Sequence, residues 1–156
     1  VTADRGGAIV RDDSPTTSPG RLRTAFRLLL GAFLAVAGLG HLTYQRREFQ
    51  AQVPGWFPVD ADLVVLASGV VEVALGSALL GWRSRRVQVG WLTAAFFVVI
   101  FPGNIAQYVE GTDAFGLDTD GKRLGRLFFQ PLLVAWALWS TGAWRAWRSR
   151  RSGRSG

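Results

Sequence analysis

The chain has 156 residues, 49% of them hydrophobic, and a formal charge of +7, a combination that fits one domain with charge and apolar residues kept in separate stretches. With no cysteine, the chain itself has no disulfide relay, thiolate nucleophile, iron–sulfur cluster or cysteine zinc site. Its single histidine excludes a bis-histidine haem within one subunit.

Residues 1–20, with "DDSPTTSPG", lack hydrophobic periodicity and read as a disordered cytoplasmic tail. Four apolar runs follow: Leu28–Gln45 without Asp, Glu, Lys or Arg, Leu63–Trp82 charged only at Glu72, Val87–Val109, and Leu127–Trp144. A helix needs roughly 20 such residues to cross a bilayer. Stretches such as "LTAAFFVVIF" also lack the alternation of a β-barrel strand. The sequence therefore predicts an all-α membrane protein, a four-transmembrane-helix bundle over residues 21–147, with helices at about 24–45, 63–82, 87–109 and 127–146. Residues 148–156 continue as a basic cytoplasmic tail, whose arginines either set topology or meet anionic lipid.

Charge by side sets the orientation. Five arginines precede or begin the first run, three (Arg83, Arg85, Arg86) fill the middle turn and five follow the fourth run, against five Lys and Arg in the two remaining loops. The positive-inside rule then places both termini in the cytoplasm. Trp82, Trp91, Trp144 and Trp147 fall near the inner interface, and Tyr44, Trp56 and Tyr108 near the outer one. "RLRTAFRLLLGAFLAVAGLG" has a second reading, as a signal peptide; cleavage after Gly40 would leave three spans with the same charge distribution.

Polar groups inside the spans are the candidates for function. Glu72 lies roughly 14 Å into the second span at about 1.5 Å per residue. His41 stands near the outer end of the first span, Asn104 and Gln107 near that of the third, and Gln130 near that of the fourth. Gly31, Ala35, Gly38 and His41 share one helical face, as do Gly69, Glu72 and Gly76. Small residues let membrane helices approach closely, so these stripes turn His41 and Glu72 inward. Pro102 with Gly103 is expected to bend the third span and free a carbonyl near Asn104. The result is a polar pocket open to the outer face, in which a buried carboxylate needs a partner, water or a proton. Trp56 and Phe57 of "VPGWFP" are placed to cover its mouth. The third loop has Asp118, Asp120 and Gly121, but lacks the further acids of a calcium loop, and no metal is expected.

"GLGHL", "REFQAQVPGWFP", "SGVVEVALG" and "FPGNI", in this order, resemble the DoxX-like family of small four-helix bacterial membrane proteins, over about Arg23 to Trp144. The family patterns fall on Gly38 and His41, then Ser68, Gly69, Glu72 and Gly76, then Phe101, Pro102 and Asn104. Gly103 stands where alanine is expected, and the loop from Glu110 to Arg126 is longer than the family's. The resemblance implies a multi-pass protein of the bacterial cytoplasmic membrane. The family is named after a membrane subunit of a thiosulfate:quinone oxidoreductase, so association with an oxidoreductase follows from the resemblance alone.

No acid, base and nucleophile set of a self-contained enzyme is visible. The leading reading is an accessory or cofactor-holding subunit of a membrane redox assembly whose pocket takes a quinone or lipid. A small-solute or proton-coupled carrier using Glu72, or a structural scaffold, is the alternative. Expected partners are the bilayer, a membrane or extracytoplasmic redox protein, or a second copy of the chain; nucleic acid is not expected, since the basic residues flank the spans.

Overall fold

The computed structural model of the chain describes residues 19–152. Among them every regular element is helical: α1 (Pro19–Leu42), the short α2 (Arg46–Gln50), α3 (Ala61–Gly81), α4 (Arg86–Val109), α5 (Asp120–Thr141) and α6 (Ala143–Ser152), with a 3-10 turn at Arg83–Arg85. The tail read over residues 1–18, and the last four residues of the basic tail, lie outside the described residues. Residues 19 and 20 already belong to α1, and residues 148–152 of the basic tail continue α6.

Three helical stretches, Gly20–Leu42, Ala61–Gly81 and Arg83–Val109, are long and apolar enough to cross a membrane. α5 differs from them. Its helix starts at Asp120, well before the expected 127, because the Thr119 hydroxyl accepts the Lys122 N–H at 3.4 Å and caps it there. Asp120, Lys122, Arg123 and Arg126 thus fall in its first two turns. Gly142 then ends it in a left-handed conformation, φ 77°, its N–H donating to the Trp139 carbonyl at 3.2 Å. A Cβ is disfavoured in that conformation, so Gly142→Ala is expected to cost about 1 kcal/mol. Thermal unfolding in detergent, read by circular dichroism, checks this.

The surface is apolar and much of the interior polar. Val99, Phe128 and Leu132 are 74%, 68% and 63% exposed, whereas Arg27, His41, Glu72, Asn104, Gln107 and Gln130 are buried. An aqueous domain of this kind would carry a large aggregation-prone surface; hydrocarbon around the helices would remove that penalty.

α1 and α3 touch backbone to backbone. A Cβ on Gly38 would lie 2.7 Å from the Gly69 carbonyl oxygen, and one on Gly76 would lie 2.6 Å from that of Gly31. The glycine stripes on the two helices therefore interlock, as small residues do between membrane helices. α4 lies along α5, and a core of Leu30, Leu34, Leu79, Phe97, Leu133 and Ala137 joins the two pairs. α1 also meets α5 near the end that holds the N-terminus of α1. There Phe26 packs edge-on against Trp136 and Trp139, at 5.9 and 5.5 Å, and the Trp136 indole N–H donates to the Phe26 carbonyl at 3.0 Å. At the other end α2 is tied to the start of α3, because Asp62 accepts from Arg46 through both carboxylate oxygens and from Gln50 at 2.6 Å.

Candidate functional site

Above the apolar core, towards the α2 end, α1 and α5 part around a cavity of about 720 Å³. Leu34, Phe97 and Leu133 line it on the core side; Phe33 and Val36 of α1 face Phe129 of α5 across it. All three of these flanking residues are well exposed. The cavity thus opens sideways, between two helices, as well as towards the loops.

The α1–α3 glycine contact delivers the first polar pair. At Gly69 a Cβ would meet the His41 Cβ at 2.8 Å, and at Gly38 one would meet the Glu72 Cβ at 2.9 Å, so both residues sit where the two backbones are closest. His41 Nδ1 lies 3.0 Å from Glu72 Oε2, with both side chains over nine-tenths buried. The same nitrogen lies 2.9 Å from the Ala37 carbonyl oxygen. That carbonyl takes the hydrogen bond, which leaves Glu72 Oε2 close to a ring nitrogen but without a donor. On its outer side the His41 ring stacks on Phe49 of α2, at 3.3 Å between centroids and 18° between planes.

A second polar set comes from α4 and α5. Asn104 Nδ2 donates to Gln130 Oε1 at 3.0 Å, and Gln130 in turn donates to the Phe97 carbonyl. Arg126 Nε donates to Asn104 Oδ1 at 3.1 Å, while its Nη2 donates to Gln52 Oε1 at 2.8 Å, so one guanidinium joins α5, α4 and the first loop. His41, Glu72, Asn104, Gln130 and Arg126 all line the same cavity. It combines an acid, an imidazole, two amides and a fixed cation with an aromatic and aliphatic wall, which is the composition of a small-molecule site.

The roof is made by residues that sequence reasoning did not single out. Phe115 lies 4.6 Å from Phe49, stands under the Arg126 guanidinium at 5.6 Å, and donates its N–H to Glu48 at 2.8 Å. Its φ of 55° is uncommon for a bulky residue, and such conformations gather at functional sites. Phe49 lies inside the quoted "REFQ", but nothing local in "DAFG" marks Phe115. Trp56 and Phe57, expected to cover the mouth, are exposed, pack on each other and do not line the cavity; Phe49 and Phe115 hold that place.

Other expected residues lie elsewhere. Gln107 is buried but reaches the Thr112 carbonyl, at 3.4 Å, and so closes the turn after α4. Ser68 bonds back to the Val65 carbonyl at 2.9 Å within α3, and Pro102 sits on the exposed side of α4. Gly38, Gly69 and Gly76 shape the site through the helix contact rather than by lining it.

In the third loop, Asp118 binds Lys122 at 2.7 Å and Asp120 binds Arg123 at 2.8 Å. The Lys122 bond holds the Asp118 carboxyl below the ordinary carboxylate range. The stabilisation this gives is present at neutral pH and fades as pH falls through the lowered pKa; it is small because both partners are exposed. No group of three or more potential metal-ligating His, Cys, Asp or Glu occurs among the described residues.

No curated protein and no solved structure matches the chain. The family model of a domain of unknown function, DUF8561, matches residues 30–141, a stretch that holds every cavity residue named above. The chain belongs to the DUF8561 family.

Proposed function

We propose that the chain is a four-span protein of the bacterial cytoplasmic membrane, with both termini inside, and that it serves as an accessory or cofactor-holding subunit of a membrane redox assembly. Its cavity takes the head group of a quinone or of an organising lipid. α5 supports the fourth span, because it runs from the cavity end to the end where Gly20, Arg83 and Gly142 line one pocket, the same length that the other long helices cover. The arginine distribution supports the orientation. The likeness to DoxX-like proteins supports the redox setting.

The observation that carries the ligand is the His41–Glu72 pair at the cavity wall, buried, 3.0 Å apart and with one carboxylate oxygen lacking a donor. A quinone carbonyl accepts hydrogen bonds, and its reduction to the quinol takes up two electrons and two protons. His41, Glu72, Asn104 and Arg126 can donate to carbonyls or pass protons; the electrons come from a redox partner protein, since the chain has neither cysteine nor a second histidine. The lateral opening between α1 and α5 suits a ligand with an apolar tail that arrives through the bilayer. The orphan oxygen of Glu72 also favours a second reading, in which Glu72 titrates as the carrier of a proton or small solute.

Protein purified in mild detergent is extracted into organic solvent, and bound quinones and lipids are identified by mass spectrometry. Quinone near one per chain is expected for the wild type and below one tenth of that for Glu72→Gln. Decylubiquinone is then added to stripped protein and tryptophan quenching is followed. Absence of both bound quinone and quenching overturns the quinone reading. Glu72-dependent proton flux in proteoliposomes would select the carrier instead.

A further inference from the structure

At the end opposite the cavity, five arginines surround a small pocket of about 80 Å³: Arg23 and Arg27 of α1, Arg83 and Arg86 around the start of α4, and Arg145 of α6. Every acid among the described residues lies elsewhere, in α3, in α2 or in the loops and helix start at the cavity end; Asp4, Asp12 and Asp13 are outside the described residues. None of the five arginines makes an ion pair among the described residues. Arg27 is 4% exposed and donates to the Leu79 carbonyl, and Arg23 lies over the Trp139 ring at 5.6 Å.

Concentrated positive charge of this kind costs self-repulsion unless something compensates it. Three helix beginnings add to it, since Gly20 stands in the first turn of α1, Arg86 opens α4, and Gly142 immediately precedes α6. The start of α4 has no side-chain cap. N-terminal amides carry partial positive charge and favour an anion. Two further groups await a partner there. Ser140, 4% exposed, lines the pocket with its hydroxyl unbonded, and the buried Nη1 of Arg23 has no acceptor.

We propose that this pocket is a binding site for a phosphate group. The volume admits a single tetrahedral oxyanion and leaves the rest of a larger molecule outside. Arg86 and Arg145, both exposed at the rim, meet its charge; Ser140 and Arg23 supply donors from within. Exposed Trp82 and Trp144 lie at the same end, at the level where lipid head groups sit. An anionic phospholipid is therefore the natural source of the phosphate, and free phosphate the other.

The full chain, stripped of lipid in detergent, is titrated with dioleoylphosphatidylglycerol, with dioleoylphosphatidylcholine and with inorganic phosphate, reading Tm. Phosphatidylglycerol is expected to raise Tm saturably, with phosphatidylcholine far weaker. Arg86→Gln combined with Arg145→Gln should weaken this at least tenfold; neither side chain hydrogen-bonds to another of the described residues. Arg148→Gln with Arg150→Gln removes the same charge from α6 outside the pocket and should weaken it less than threefold. A saturable shift with inorganic phosphate that matches the phosphatidylglycerol shift keeps the site and assigns it to the free ion. No shift with either, or equal losses in the two double variants, overturns the proposal.

Discussion

Gly76→Val is expected to abolish the α1–α3 contact and with it most of the folded yield. A Cβ at this position would stand 2.6 Å from the Gly31 carbonyl oxygen and 2.7 Å from the Ala35 nitrogen, both backbone atoms that no rotamer change can move. Overpacking a tight interior costs about 1–3 kcal/mol, and valine adds two more methyls to a site already closed to one, so a loss of about 3 kcal/mol or more is expected. Gly38→Val should behave alike, since its Cβ would meet backbone atoms of Gly69 and Val73 at 2.7 and 2.8 Å. The comparison is Gly125→Ala in α5, where a Cβ meets nothing within 4 Å. That change should be neutral or stabilise by up to about 1 kcal/mol, through helix propensity alone. Monodisperse yield and thermal unfolding in one detergent rank the three. Equal losses at Gly76 and Gly125 would mean that the close approach of α1 and α3 does not hold the fold together.

The same contact explains why part of the site is legible in the sequence. The glycines that let α1 and α3 touch share helical faces with His41 and Glu72, so periodicity alone turns both residues towards the helix contact. Apolar runs of membrane length are legible for a similar reason, because hydrocarbon imposes a minimum length. Arg126 shows what is not legible. Read as a loop charge, it becomes a central donor only because α5 begins at Asp120 and carries it opposite Asn104. The placement depends on a threonine cap and on contacts distant in sequence. Phe115 is harder still: its ring reaches Phe49 through a left-handed backbone that "DAFG" does not announce. The roof of the cavity is thus a product of tertiary contacts between two loops, whereas its floor and its acid–imidazole pair follow from helical registers.

His41→Ala is expected to destabilise the protein by about 3–5 kcal/mol near neutral pH, and Glu72→Gln by under about 1.5 kcal/mol. The inequality follows from one nitrogen facing two oxygens, Ala37 O at 2.9 Å and Glu72 Oε2 at 3.0 Å. If the pair holds a proton on His41, the ring is a cation and compensates the buried carboxylate. Removing the imidazole takes that compensation away and leaves a buried carboxylate without its neighbour. A glutamine at 72 keeps a donor and an acceptor at nearly the same positions, with no charge to compensate. The double variant should therefore recover much of what His41→Ala loses, a coupling of at least about 1.5 kcal/mol in a double-mutant cycle. Unfolding free energies of the four proteins test both the inequality and the coupling. A Glu72→Gln loss as large as that of His41→Ala, without coupling, would assign Glu72 to helix packing through its shape and remove charge compensation from the account of the pair.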